Sequence, residues 1–176
     1  MKLTLDWNCV IEVEEGRPQA EHVSDLINSH RKCHFAVALL AALGWQDLPL
    51  VPMPVVWGLS YFAFCFFVED GDAFERDMNA LWQVIASTIP SEPSEHLPVG
   101  MKLTDDVIQS EALSKWRNTW CDVVSAYSHV HAGRDVFVTN NTRDFQKNAD
   151  KLSVLGMKHI STPAEAHAMV AEIRQA

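Results

Sequence analysis

The stretch CDVVSAYSHVHAGRDVFVTNNTRDFQKNADKLSVLGMKHISTPAEAHAMV, residues 121–170, decides the fold. A helical run from about Thr119 to Ala132 breaks at Gly133-Arg134-Asp135 and passes into an apolar strand, Asp135 to Thr139. Thr139-Asn140-Asn141 then turns the chain, a helix is expected from Asp144, a second strand covers Met157 to Ile160, and Pro163 suits the first turn of a closing helix. Two strands joined by one helix make a βαβ unit, whose strands are expected to be parallel and whose crossover is expected to be right-handed.

Outward from this unit, Lys2 to Trp7 reads as a short strand that delivers Asp6 at its C-terminal end. Glu14 to Pro18 turns the chain into a helix over Gln19 to His30, with Val23, Leu26 and Ile27 on one face. Cys33 to Leu40 reads as a second buried strand. Phe74, Met78, Leu81, Trp82 and Ile85 recur at three- and four-residue steps, which predicts a core-facing helix over Asp72 to Ser87. Another helix is expected from about Thr104, and Ile89 to Pro93 is an exposed connector. The expectation is one α/β domain over residues 1–176, a mostly parallel central sheet covered by helices, with a divergent middle segment at about 41–113.

At 176 residues the chain can bury a proper core without disulfides. Its net charge of -9 excludes a general nucleic-acid binder, because phosphate neutralisation needs clustered Lys and Arg, so any nucleic acid must be met locally. Cys9, Cys33, Cys65 and Cys121 form no CxxC pair and follow no secretory segment, which reads as reduced thiols in a cytoplasmic protein. Leu48 through Val68 carries no charge and ends in the aromatic run YFAFCFFV, yet Pro52, Pro54 and Gly58 interrupt it. The expectation is therefore no membrane span, and burial of Tyr61 to Phe67 in the core or in a homodimer contact.

In parallel sheets ligands bind at the carboxyl ends of strands, and the candidate chemistry lies there. Asp6 ends one strand, Asp122 is expected early in a helix, and Asp144 follows another strand. Three converging carboxylates suit Mg²⁺ or Mn²⁺, which take oxygen ligands; the plainer reading of an Asp at a strand end is a cap or turn residue. His129 and His131 are two apart and point to different sides of a helix, and His22, His30 and His34 form at best a loose cluster. No P-loop, GxGxxG or GxSxG is present.

LDWNCVIEVEEGRP at the N-terminus, CDVVSAYSHVHAGRDVFVTNNTRDF and LGMKHISTPAEAHAMV together resemble the PIN-domain family. That resemblance implies a three-layer α/β/α fold and a metal-dependent ribonuclease using Mg²⁺ or Mn²⁺, possible partners being an RNA substrate and an antitoxin protein. It assigns metal binding to Asp6, Asp122 and Asp144, adds Asn141 to the catalytic set, and gives Asn8 and Thr139 a supporting role. The sequence departs from the family pattern at two points. Asn141 stands where an Asp is expected, and residues 43–45 hold no acid, leaving Asp47 or Glu12 as substitutes. Two rival classes follow: a binding scaffold that meets a partner through Tyr61 to Phe67, and an enzyme acting on a small phosphorylated substrate.

Overall fold

The computed structural model describes residues 1–28, 34–37, 61–62, 65–66 and 71–173. Strands β1 (Lys2–Leu5), β2 (His34–Val37), β5 (Val136–Val138) and β6 (His159–Ser161) form a four-stranded sheet in the order β2-β1-β5-β6, and every pairing in it is parallel. Two short strands, β3 (Tyr61–Phe62) and β4 (Cys65–Phe66), pair antiparallel outside that sheet. The helices are α1 (Trp7–Glu14), α2 (Ala20–Asn28), α3 (Gly71–Ile85), α4 (Asp105–Gln109), α5 (Ser114–His131), α6 (Ala149–Val154) and α7 (Pro163–Ile173).

The two faces of β5 show why so short a strand suffices. Side chains alternate across a strand, so Val136 and Val138 point one way and Phe137 the other. The valines join Leu3, Leu5, Val10, Val23, Leu26, Ala166 and Val170, a cluster supplied by β1, α1, α2 and α7. Phe137 joins Met78, Leu81, Trp82, Val123, Tyr127, Phe145 and Leu152, supplied mainly by α3, α5 and α6. Truncating a fully buried Phe such as Phe137 or Phe145 costs about 3–5 kcal/mol. Thr4 shares the Phe137 face of the sheet and lies 3.0 Å from Nδ1 of the fully buried His129 on α5.

Local chemistry sets the element ends. Asp6 closes β1 because its Oδ1 accepts from Trp7 N–H at 2.7 Å, so Trp7 opens α1 instead of ending the strand as expected. Gly133, at φ +57°, follows the last residues of α5, whose end is closed by bonds from Ala132, Gly133 and Arg134 back into the last turn. Helix α5 starts at Ser114, earlier than the expected Thr119, so Asp122 lies in mid-helix and not near its start. The helix expected from Asp144 begins only at Ala149, after a 3₁₀ turn at Gln146–Asn148. Asp144 N–H donates to Asn141 Oδ1 at 3.2 Å, a side-chain turn that competes with helix at this point.

Asp47, residues 43–45, His30, the strand margins at Cys33 and Leu40, the interrupting Pro52, Pro54 and Gly58, and the side chains of the aromatic run lie outside the described residues. Among the described residues no helix is long and apolar enough to cross a membrane.

Candidate active site

The parallel register places Leu5 opposite Val138, so the residues after them, Asp6 and Thr139, meet at the carboxyl ends of adjacent strands. Asp6 is 1% exposed. Its Oδ2 accepts from Thr139 Oγ1 at 2.8 Å and Asn8 Nδ2 at 2.7 Å, while its Oδ1 accepts from Trp7 N–H. Asn8 also accepts from the Asn140 N–H through Oδ1 at 2.9 Å, tying α1 to the turn after β5. Asn8 and Thr139 thus orient Asp6, the part that the resemblance assigns to them.

Asn141 links the other two acids. Its Nδ2 lies 3.3 Å from Asp122 Oδ2 and 3.0 Å from Asp144 Oδ2, one nitrogen donating to two carboxylates. Arg143 forks onto Asp144 through Nε at 2.9 Å and Nη2 at 3.2 Å. Glu12 turns elsewhere: it is on α1 as the helical alternative required, and its Oε2 accepts from Gln19 N–H at 2.9 Å ahead of α2.

Burial and mutual charge set the proton affinities. Burial raises the Asp6 carboxyl above its usual range in spite of the three hydrogen bonds it accepts. Asp122 is pushed up to about 8, first by burial, then by the charges of Asp6 and Asp144, while the Asn141 amide and Arg143 pull the other way. Burial alone would raise Asp144 as well; the hydrogen bonds from Arg143 and Asn141 and the Arg143 charge hold it below the ordinary value. The neighbouring Cys121 thiol is raised to about 11 by burial and by the same Asp122 and Asp6 charges, so it stays protonated.

Asp122, Asn141 and Asp144 face an open cleft of about 860 Å³ between the end of α3, the start of α5 and the turn before α6. Lys115, Arg143, Lys147 and Lys151 also line it, four of the 14 Lys and Arg of a chain with net charge -9. These cations, with Asn118 and Asn148, are site residues that motif reading misses; the four-residue step from Lys147 to Lys151 on the turn into α6 is the one readable sign of them. Asp6 does not line the cleft and acts behind Asp122 through its charge. Among the described residues no three His, Cys, Asp or Glu side chains are grouped closely enough to hold a metal ion.

Elsewhere, His129 is buried against Thr4 while His131 is exposed and stacks on Tyr127, so the two histidines do point apart. The chain matches no protein-family model, no curated protein and no solved structure.

Proposed function

We propose that the chain is a PIN-type nuclease domain of three layers that cleaves RNA phosphodiester bonds with Mg²⁺ or Mn²⁺. One observation carries the reading: Asp122, whose proton affinity is raised by burial and by the charges of Asp6 behind it and of Asp144, stands in a cleft rimmed by four cations. Supporting the layering, the two faces of β5 are buried in separate helical clusters.

The donor set fits a hard divalent ion in part. Oxygens of Asp122 and Asp144 converge on a single atom, Asn141 Nδ2, and a rotated Asn141 amide would present its oxygen there instead. Two carboxylates, an amide oxygen and water match the habit of Mg²⁺, which keeps several waters and takes few protein ligands. When bound, such an ion supplies Lewis-acid stabilisation of the charge that builds on a phosphodiester. The chain's own groups do the rest: Lys115, Lys147 and Lys151 bind phosphates along the cleft, Arg143 fixes Asp144, and Asp122, which holds a proton at neutral pH in the absence of an ion, would release it to present a carboxylate oxygen to the ion.

The test is cleavage of a labelled single-stranded RNA with and without Mn²⁺, with Asp122→Asn and Asp144→Asn beside the wild type. Cleavage is expected to need Mn²⁺ and to fall about 100-fold or more in either variant. Because the folded Asp122 carboxyl is raised, its favourable contribution is complete below the unfolded value of 3.8 and is lost as pH climbs to about 8. Ion-free Asp122→Asn is therefore expected to melt higher than wild type near pH 8, which separates lost chemistry from lost folding. Cleavage that ignores Mn²⁺ and survives both substitutions would sink the mechanism.

A second reading, a PIN-like binding scaffold, is favoured by the Asn141 amide itself, which satisfies Asp122 and Asp144 without an ion. Under that reading all three proteins are inert and Mn²⁺ leaves every melting temperature unchanged.

A further inference from the structure

Helices α2 and α7 pack together through Val23, Leu26, Ala166 and Val170. Beside this contact, His22 Nδ1 lies 3.2 Å from His167 Nδ1, with the ring centres 5.5 Å apart and the rings tilted by 54°. Both side chains are half-buried. On the far side of the His167 ring, Nε2 lies 3.7 Å from Asp25 Oδ2, one turn along α2 from His22.

Asp25 Oδ2 stands at ion-pair and not hydrogen-bond distance from Nε2, and its charge favours the His167 tautomer that carries the proton there, the one whose Nδ1 lone pair faces His22. A neutral His22 can then either donate its Nδ1–H across the gap or turn its own lone pair into it. For a tetrahedral ion with metal–nitrogen bonds of 2.0–2.1 Å, two ligating nitrogens stand about 3.3 Å apart, close to the separation found here. A histidine that ligates through one nitrogen and donates through the other to a carboxylate is the usual arrangement around such ions.

We propose that His22 and His167 form a transition-metal site, taking an ion of the Zn²⁺, Cu²⁺ or Ni²⁺ class on their Nδ1 atoms and clasping α2 to α7. Asp25 is a positioning residue, held on the outer nitrogen and outside the ligand pair. Imidazole nitrogen selects these borderline ions over Mg²⁺ and Mn²⁺, so the site is chemically separate from the acidic cleft. Among the described residues two protein ligands are at hand, and water or a small ligand from solution would fill the positions they leave.

Dialysis of the full chain against Zn²⁺, followed by metal analysis, is expected to leave one zinc per chain, with a melting temperature that rises with free Zn²⁺. His22→Gln and His167→Gln should each lose that zinc, and Asp25→Asn should weaken it by about 10–100-fold. Modification by diethyl pyrocarbonate reads the same site without mutation: Zn²⁺ should protect both histidines in the native chain. Failure to retain zinc, retention in both Gln variants, or modification unaffected by zinc would each overturn the proposal and leave a direct hydrogen bond between the rings.

Discussion

Asn141 donates its side-chain amide to Asp122, with Nδ2 3.3 Å from Oδ2. The same nitrogen reaches Asp144 at 3.0 Å, so one neutral group sits where two carboxylates converge. Asn141→Asp replaces that donor by a third charge. Without an ion the variant is expected to lose about 1–3 kcal/mol, since both acids lose a hydrogen bond and gain a repulsive neighbour. With Mn²⁺ its melting temperature should rise more than that of wild type, as a thermal-shift titration would show. A variant as stable as wild type and indifferent to Mn²⁺ would count against any ion at this point.

His129 gives the stability a pH dependence of opposite sign to that of Asp122. Burial, then the Arg134 charge, lowers its pKa from 6.5 to about 4, so the folded chain holds it neutral while the unfolded chain protonates it. Stability is therefore full above 6.5 and lost as pH falls toward 4, by roughly 3 kcal/mol in all. His129→Phe should remove this slope between pH 6.5 and 4 in urea denaturation. An unchanged slope would show that His129 is solvated in the native chain.

Gly156 is required by space as well as by backbone. At φ +102° a side chain is strained, and an added Cβ would stand 2.9 Å from Val130 Cγ1. Gly156→Ala is expected to cost about 2 kcal/mol or more. Gly133 also has positive φ, +57°, but open space around it, so Gly133→Ala should cost only about 1 kcal/mol. Denaturation midpoints of the two variants would test the ordering; equal losses would mean that Val130 moves aside freely.

The exposed Lys147 and Lys151 should serve RNA affinity without serving the fold. Lys147→Ala and Lys151→Ala are each expected to weaken single-stranded RNA binding a few-fold and to lower the salt slope by up to about 0.7. Melting temperatures should stay within a degree or two, because exposed substitutions rarely exceed about 0.5 kcal/mol. Unaltered affinity and slope in both variants would place RNA outside this cleft.

By itself the sequence determined what is local: the strand-turn-helix-strand order after Asp135, the core stripe from Phe74 to Ile85, the break at Gly133, the helix start at Pro163, and the placing of Asp6 and Thr139 at strand ends. Side-chain period and backbone freedom are properties of neighbouring residues, so they can be read along the chain. Boundaries were less legible where side chains compete with the backbone. Asp6 stopped β1 by accepting from Trp7, and Asn141 delayed the helix after Asp144 through its own turn.

Only the tertiary structure decided which distant groups meet. Asn141 joins Asp122 across 19 residues, and His22 finds His167 across 145. It also gathered Lys115, Arg143, Lys147 and Lys151 around one cleft and turned Glu12 toward Gln19. The physical reason is that burial and Coulomb interaction depend on separation in space, and the packing of α2 on α7, or of α5 beside the turn after β5, sets that separation in ways no periodicity along the chain encodes.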